Sequence, residues 1–482
     1  MRRFAILLPL LLAGCLTKND LPLVSAYDRS SDGGKFIDKY DFAANTYAPD
    51  AEAAEKERRT IKAQSQGMAP LPGLQVYAQS VVDRLVQQSG VTTLSFKVYI
   101  AANMSPQAAA YPDGVILIHH RVFECAQNED QLAFVLGHEI SHVLLKHSAS
   151  DFFEKIRPYL VTAVDVAASQ MKDNGDIGKV VKLYGSDLLA RDVLMPIWDR
   201  GKEAEADRMG LDLMAKAGYN PKEALSWLEE QKRFEDAFES EHQVERNALE
   251  KAIFKEGEKG QDNPALPQFN VMSLLSTALV EVQKATAQRH PDMQSRMDAL
   301  LGYIDREYAE EQFRPVKADA YTAQRKKYAE IFARYVTAND LRNRLSSGEA
   351  LSAGEMRSME KQVLTLVSGV TRDHPYTRSV AASLRARQGK PALALENLDR
   401  AGSEDGMLPL RMEIQRTELL WQLGRRDDSY ARLREVSVYY DWPLAVFPDM
   451  LRAAQQLGRS NDLVELRLTC VGRYPQSRQQ CG

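Results

Sequence analysis

The chain has no excess of charge of one sign. Lys and Arg number 62 against 66 Asp and Glu, a formal net charge of −4. That balance gives no support to nucleic-acid binding driven by bulk charge. Long apolar runs are missing as well. The single apolar run of note, Phe4 to Leu12, is too short for an ordinary spanning helix. No other run in the chain reads as a membrane-spanning helix. Cysteine is scarce, with 4 among 482 residues, and so is histidine, with 8. Hydrophobic content of 44% and charged content of 27% are ordinary for globular protein, and the length suggests about three domains.

The scarce histidines are not spread evenly: five of them fall between 119 and 147. At the centre stands His138-Glu139-Ile140-Ser141-His142. Asn128 suits a helix N-cap, with Gln131 at the reciprocal position three residues on. Glu129 and Asp130 suit the positive end of the helix dipole, and Lys146 the negative end. On that helix His138 and His142 share a face. Two such imidazoles can bind one zinc ion, and Glu139 can serve as general base toward water. Apolar residues surround them on nearly every side, which predicts a buried helix. Buried, the three polar groups need partners: either a metal or hydrogen bonds to core neighbours.

A second helix is predicted from Arg200 to about Ala217. Glu203 and Asp207 lie four apart on one face of it. Glu203 suits a third metal ligand, and Asp207 an acceptor for the second ring N–H of a ligand histidine. A solvated, charged helix fits the same residues.

Taken together, His-Glu-Ile-Ser-His, then Glu-Ala-Glu-Ala-Asp-Arg-Met-Gly at 203–210, then Ala-Gly-Tyr-Asn-Pro at 217–221, resemble the HtpX/BepA-like family of zinc endopeptidases. These are relatives of the CAAX prenyl proteases. The resemblance covers roughly residues 70 to 308. It implies an α+β, mostly helical chain: an HExxH gluzincin domain with a small β-sheet. It implies one Zn2+ per chain, held by His138, His142 and Glu203, with Glu139 as the catalytic base and Asp207 as the support of a ligand histidine. The family's later His-Pro followed by Arg is matched by His290-Pro291 and Arg296. In such members the histidine can reach the zinc and close the site. His290 is therefore either a plug or a histidine packed at the start of a helix. Arg296 would orient substrate or stabilise an oxyanion. The family's edge-strand segment, Asn-Ala-Phe-Ala-like, reads Gln107-Ala-Ala-Ala-Tyr111 here, ahead of a strand at Gly114 to Ile118.

The flanking segments complete the expected organisation. Residues 1–14 read as a signal peptide. Leu12-Ala13-Gly14-Cys15 looks like a bacterial lipobox, which implies lipidation of Cys15. Residue 16 is Leu rather than Asp, so an outer-membrane anchor facing the periplasm is expected. Residues 15–68 read as a tether with a local helix, 69–310 as the peptidase domain, and 311–482 as an all-α domain. Gly389, Gly424 and Gly458, spaced by 35 and 34 residues, suggest tetratricopeptide-like repeats or a generic helical array. His119 and His120 suit surface or supporting roles, and His147 a helix C-terminus. Cys470 and Cys481 suit a disulfide, with Cys125 left as a buried thiol. By resemblance, substrates would be misfolded or misassembled envelope proteins, with the repeats offering a surface to outer-membrane assembly machinery. A non-proteolytic chaperone or scaffold acting through the repeats is the competing expectation.

Overall fold

A computed structural model describes residues 33–43, 51–147, 200–237, 240, 293–346, 350–403, 405–474 and 481. Cys15 and His290 lie outside the described residues.

The sheet is small and mixed. β1 (Lys97–Ala101) runs parallel to β3 (Val115–His119), and β2 (Ala108–Ala110) pairs antiparallel on the other side of β3, giving the order β1-β3-β2. The turn between β2 and β3 is Tyr111-Pro112-Asp113-Gly114, closed by Gly114 N–H to Tyr111 O. Gly114 has φ of 85°, and a Cβ there would stand 2.4 Å from Ser95 O, so only glycine fits.

Helices cover and extend this sheet. They are α1 (Ala51–Gln64), α2 (Pro72–Ser89), α3 (His120–Cys125), α4 (Glu129–Leu144) and α5 (Arg200–Lys216). α6 spans residues 223–237, followed by α7 (Met293–Glu307) and α8 (Asp319–Ser346). Next come α9 (Ala353–Leu366), α10 (Pro375–Arg387), α11 (Pro391–Asp399), α12 (Leu410–Gln422), α13 (Arg426–Tyr439), α14 (Phe447–Gln456) and α15 (Ser460–Arg473). The chain is α+β and mostly helical. Among the described residues no helix is long and apolar enough to cross a membrane.

α4 starts where the sequence places its cap: the Asn128 side chain accepts from Gln131 N–H. The return contact is shifted by one residue, since Gln131 Oε1 accepts from Gln127 N–H rather than from Asn128. The first-turn acids do more than face the helix dipole. Asp130 accepts from the backbone N–H groups of Asn220 (2.7 Å) and Lys317 (2.6 Å), and Glu129 N–H donates to Lys317 O. Glu129 also takes hydrogen bonds from Arg84, Tyr77 and Tyr219.

One hydrophobic core joins α2, the sheet, α4, α5 and α7, and continues through α8, α9 and α10. Helices from α11 onward pack in separate clusters. There α10/α11, α12/α13 and α14/α15 form three successive hairpins. Gly389, Gly424 and Gly458 sit in their turns with φ of 71°, 77° and 67°, a left-handed conformation that suits glycine at a helix end. Cys470 and Cys481 are joined in a disulfide with 5.4 Å between their Cα atoms, and Cys125 is free and half-buried. α1 bridges two parts of the fold. Its Ile61 packs with Ala101, Ala109, Tyr111, Val115 and Leu117 of the sheet, while Lys62 pairs with Asp405.

His119 and His120 are fully buried rather than at the surface. His119 bonds Asn103 and Ser105, and His120 packs against the Phe332 and Tyr335 rings of α8. The cover of His120 comes from a helix two hundred residues later in the chain, which local patterning does not reveal.

Candidate metal centre

Two helices carry the site, and two glycines let them meet. α4 presents His138 and His142 one turn apart, and α5 presents Glu203 and Asp207. At the crossing, a Cβ on Gly210 would lie 2.7 Å from His138 N and 2.9 Å from Gly137 C. A Cβ on Gly137 would lie 2.9 Å from Gly210 O. Backbone therefore rests on backbone, and the side chains flanking the crossing converge.

His138 Nε2 and His142 Nε2 are 3.1 Å apart. Each lies 3.6 Å from an oxygen of Glu203. Donors bound at about 2.1 Å around one tetrahedral ion stand about 3.4 Å from each other, so this triangle fits a divalent metal. Two nitrogen lone pairs and a carboxylate are also the donor chemistry such an ion takes. Among the described residues this is the one such cluster of His, Cys, Asp and Glu.

Behind the triangle, the second ring nitrogen of His138 meets Asp207 Oδ1 at 2.9 Å. Asp207 is fully buried and gripped by Arg296 through Nε (2.8 Å) and Nη2 (2.6 Å). Burial favours the neutral acid, but the Arg296 charge and the His138 hydrogen bond outweigh it and hold Asp207 far below the usual carboxylate range. Burial likewise pulls His138 down, yet the bond to Asp207 and the charge of Glu203 lift it above its ordinary value. For His142, burial, then His138 and His147, press the pKa well below its ordinary value. The Arg296 guanidinium pairs with Asp207 and lies 3.8 Å from Glu203, so it clamps the support of His138.

Glu139 sits beside the triangle and accepts a hydrogen bond from Ala110 N–H of β2 at 3.0 Å. Burial pushes its pKa up to about 7, with His138 opposing. His147 stands near the helix C-terminus, as the sequence suggests, but its partners were not legible there. It lies beyond the end of α4, and its ring turns back to His142 Nδ1 at 2.9 Å and to Glu205 Oε2 at 3.1 Å. The available signal was a third histidine five residues past the pair, with Glu205 two residues from Glu203.

Residues 72–304 match the family model described as Peptidase family M48. They are an M48 peptidase domain. The match runs from the first residue of α2 into α7 and contains His138, Glu139, His142, Glu203, Asp207 and Arg296. The beta-barrel assembly-enhancing proteases of Yersinia pestis and Escherichia coli K12 are each 29% identical over 169 residues. Those alignments cover 34% of this chain and 35% of each relative. The mitochondrial metalloendopeptidase OMA1 of Schizosaccharomyces pombe is 29% identical over 156 residues, 32% of this chain and 43% of its own length. The chain thus spans about a third of the length of the first two relatives and under half of the third. Membership of the M48 domain in a metallopeptidase family implies a metal cofactor, for which His138, His142 and Glu203 stand grouped.

Proposed function

We propose that this protein is a zinc-dependent endopeptidase of the bacterial periplasm, anchored to the outer membrane by lipid on Cys15, that degrades misfolded or stalled envelope proteins. The observation that carries the reading is the convergence of His138, His142 and Glu203 next to Glu139 and an edge strand. His138, His142 and Glu203 would hold the ion. Zinc supplies a Lewis acid that polarises the scissile carbonyl and makes water more acidic. Glu139 takes the proton from the attacking water and later hands it to the leaving amine. The Ala110 N–H fixes the Glu139 carboxylate for that exchange. Asp207, clamped by Arg296, keeps the His138 ring oriented.

Substrate would lie along β2. Gln107 O and Tyr111 N–H pair with the β3 strand and its flank, whereas Ala110 N–H turns the other way, toward Glu139. An extended peptide adding to that edge would be held by backbone groups with little sequence selectivity. That suits unfolded clients, including barrel proteins with unpaired strands. Residues 69–310 would form the catalytic unit. The helical hairpins of 311–482 would offer the concave face of a repeat array to assembly machinery.

The test is zinc content and casein cleavage of the wild type and of Glu139→Gln. One zinc per chain in both, with cleavage in the wild type alone, is expected. Wild-type protein that binds no zinc overturns the reading. A Glu139→Gln variant with full biological activity would favour a scaffold acting through the hairpins.

A further inference from the structure

We infer that His147 and Glu205 form a relay that fixes the ring orientation and the tautomer of His142, so that metal retention depends on a histidine that never touches the ion. The inference rests on the metal centre proposed above.

The geometry begins with the chain reversal after α4. Leu145 N–H bonds Ser141 O and Lys146 N–H bonds Val143 O. Lys146 then adopts φ of 53°, a left-handed conformation that ordinarily favours glycine. This lets His147 N–H return to His142 O at 2.9 Å. The backbone of His147 thus bonds the backbone of His142, and the two rings lie 5.1 Å apart at 66°.

Proton placement follows from the contacts. His142 Nε2 faces His138 Nε2 and Glu203. To offer that nitrogen as a lone pair, a neutral His142 must carry its proton on Nδ1. The Nδ1–H points at His147 Nδ1, 2.9 Å away, which must then accept. His147 in turn carries its proton on Nε2 and donates to Glu205 Oε2 at 3.1 Å. Each contact has one donor and one acceptor, and reversing either one would put a proton on the ligating nitrogen of His142.

The two ligand histidines are therefore oriented by unlike means. His138 leans directly on the buried Asp207. Through its Nδ1, His142 reaches the Glu205 carboxylate by way of a second imidazole, and that carboxylate is on a side chain 42% exposed. His147 is accordingly a positioning residue whose removal loosens one ligand while leaving all three in place.

The experiment uses the full chain with zinc as probe, measuring affinity by competition with a chromogenic chelator. The variants are His147→Ala, His147→Asn, His147→Gln and Glu205→Gln. Loss of a hydrogen-bonding partner behind a ligand histidine costs ten- to a hundredfold in affinity, which is the drop expected for His147→Ala. Asn places an acceptor oxygen about where Nδ1 stands, so His147→Asn should recover most of the loss. Gln carries its amide one carbon further out, so His147→Gln should not. Glu205→Gln retains an acceptor and should fall only a few-fold. As a second readout, the visible absorption bands of the cobalt-loaded protein should change in His147→Ala and return toward wild type in His147→Asn. Wild-type affinity in His147→Ala, or equal weakness of the Asn and Gln variants with unaltered circular dichroism, overturns the relay and leaves the metal centre standing. Absence of zinc binding in the wild type overturns the centre and the relay together.

Discussion

Replacing Gly210 by Ala should separate the helices that carry His138, His142 and Glu203. The new methyl carbon would stand 2.7 Å from His138 N and 2.9 Å from both Gly137 C and His138 Cα. Ordinary contact begins near 3.4 Å, so α5 must retreat from α4 by roughly 0.5–0.7 Å, because no flexible side chain is there to yield. Overpacking of this kind costs about 1–3 kcal/mol, and the upper end applies where backbone meets backbone. Against this, exchanging Gly for Ala inside a helix contributes about 1 kcal/mol of stabilisation. The net expectation is a loss of about 1–2 kcal/mol. The effect on the ion should be larger in proportion. Ligand distances tolerate only about 0.2 Å, and Glu203 rides on the helix that moves, so zinc affinity should fall at least tenfold. Gly302 provides the control. It lies inside α7 with nothing within 4 Å of an added Cβ, so Gly302→Ala should be neutral or stabilising by up to ~1 kcal/mol. Thermal melting of the metal-free proteins and chelator competition measure the two quantities. Equal melting temperatures and equal zinc affinities for the two alanine variants would refute the reasoning.

Arg296→Met removes the buried counter-charge of Asp207 and should destabilise the protein by about 3–5 kcal/mol, read as a lowered melting temperature; an unchanged melt would show that the clamp is unimportant. His374 is buried and held down to about 4 by that burial, with its bond to Met68 O opposing. The folded form keeps it neutral while the unfolded chain protonates it near 6.5, so its contribution is complete above pH 6.5 and is lost as pH falls toward 4. The loss is about 3 kcal/mol, and His374→Gln should flatten that part of the stability profile. The Cys470–Cys481 bond closes a separation of 11 residues. Its removal by Cys481→Ser should cost about 3 kcal/mol in the terminal hairpin, and free thiols at both positions in non-reduced peptide maps of protein kept under oxidising conditions would refute the pairing.

Much of the site could be read from local spacing. His138 and His142, like Glu203 and Asp207, are one helical turn apart, and that relation survives any tertiary arrangement. The Asn128 cap was legible for the same reason. What the residues did not disclose is contact between distant segments. Nothing near Gly137 announces that it will lie against Gly210. His147 needed Lys146 in a left-handed conformation to fold back, and a lysine gives no hint of that. Arg296 meets Asp207 across 89 residues, and the shield over His120 is supplied by α8. Gln131 was placed in a capping box, yet it serves Gln127, because the pattern fixes which side chain returns but not which N–H it finds.

The pairing of Lys317 with Glu129 and Asp130 has an implication for how the protein comes into being. The collar at the start of the histidine-bearing helix is made by a residue that emerges long after both motif helices have been synthesised. Until that residue arrives, Asp130 holds the Asn220 N–H without the Lys317 N–H, Glu129 N–H lacks the Lys317 carbonyl, and the helix start can fray. A chain still emerging would thus carry every ligand side chain without a settled frame for them. Assembly of the His138, His142 and Glu203 cluster would in that way await most of the polypeptide.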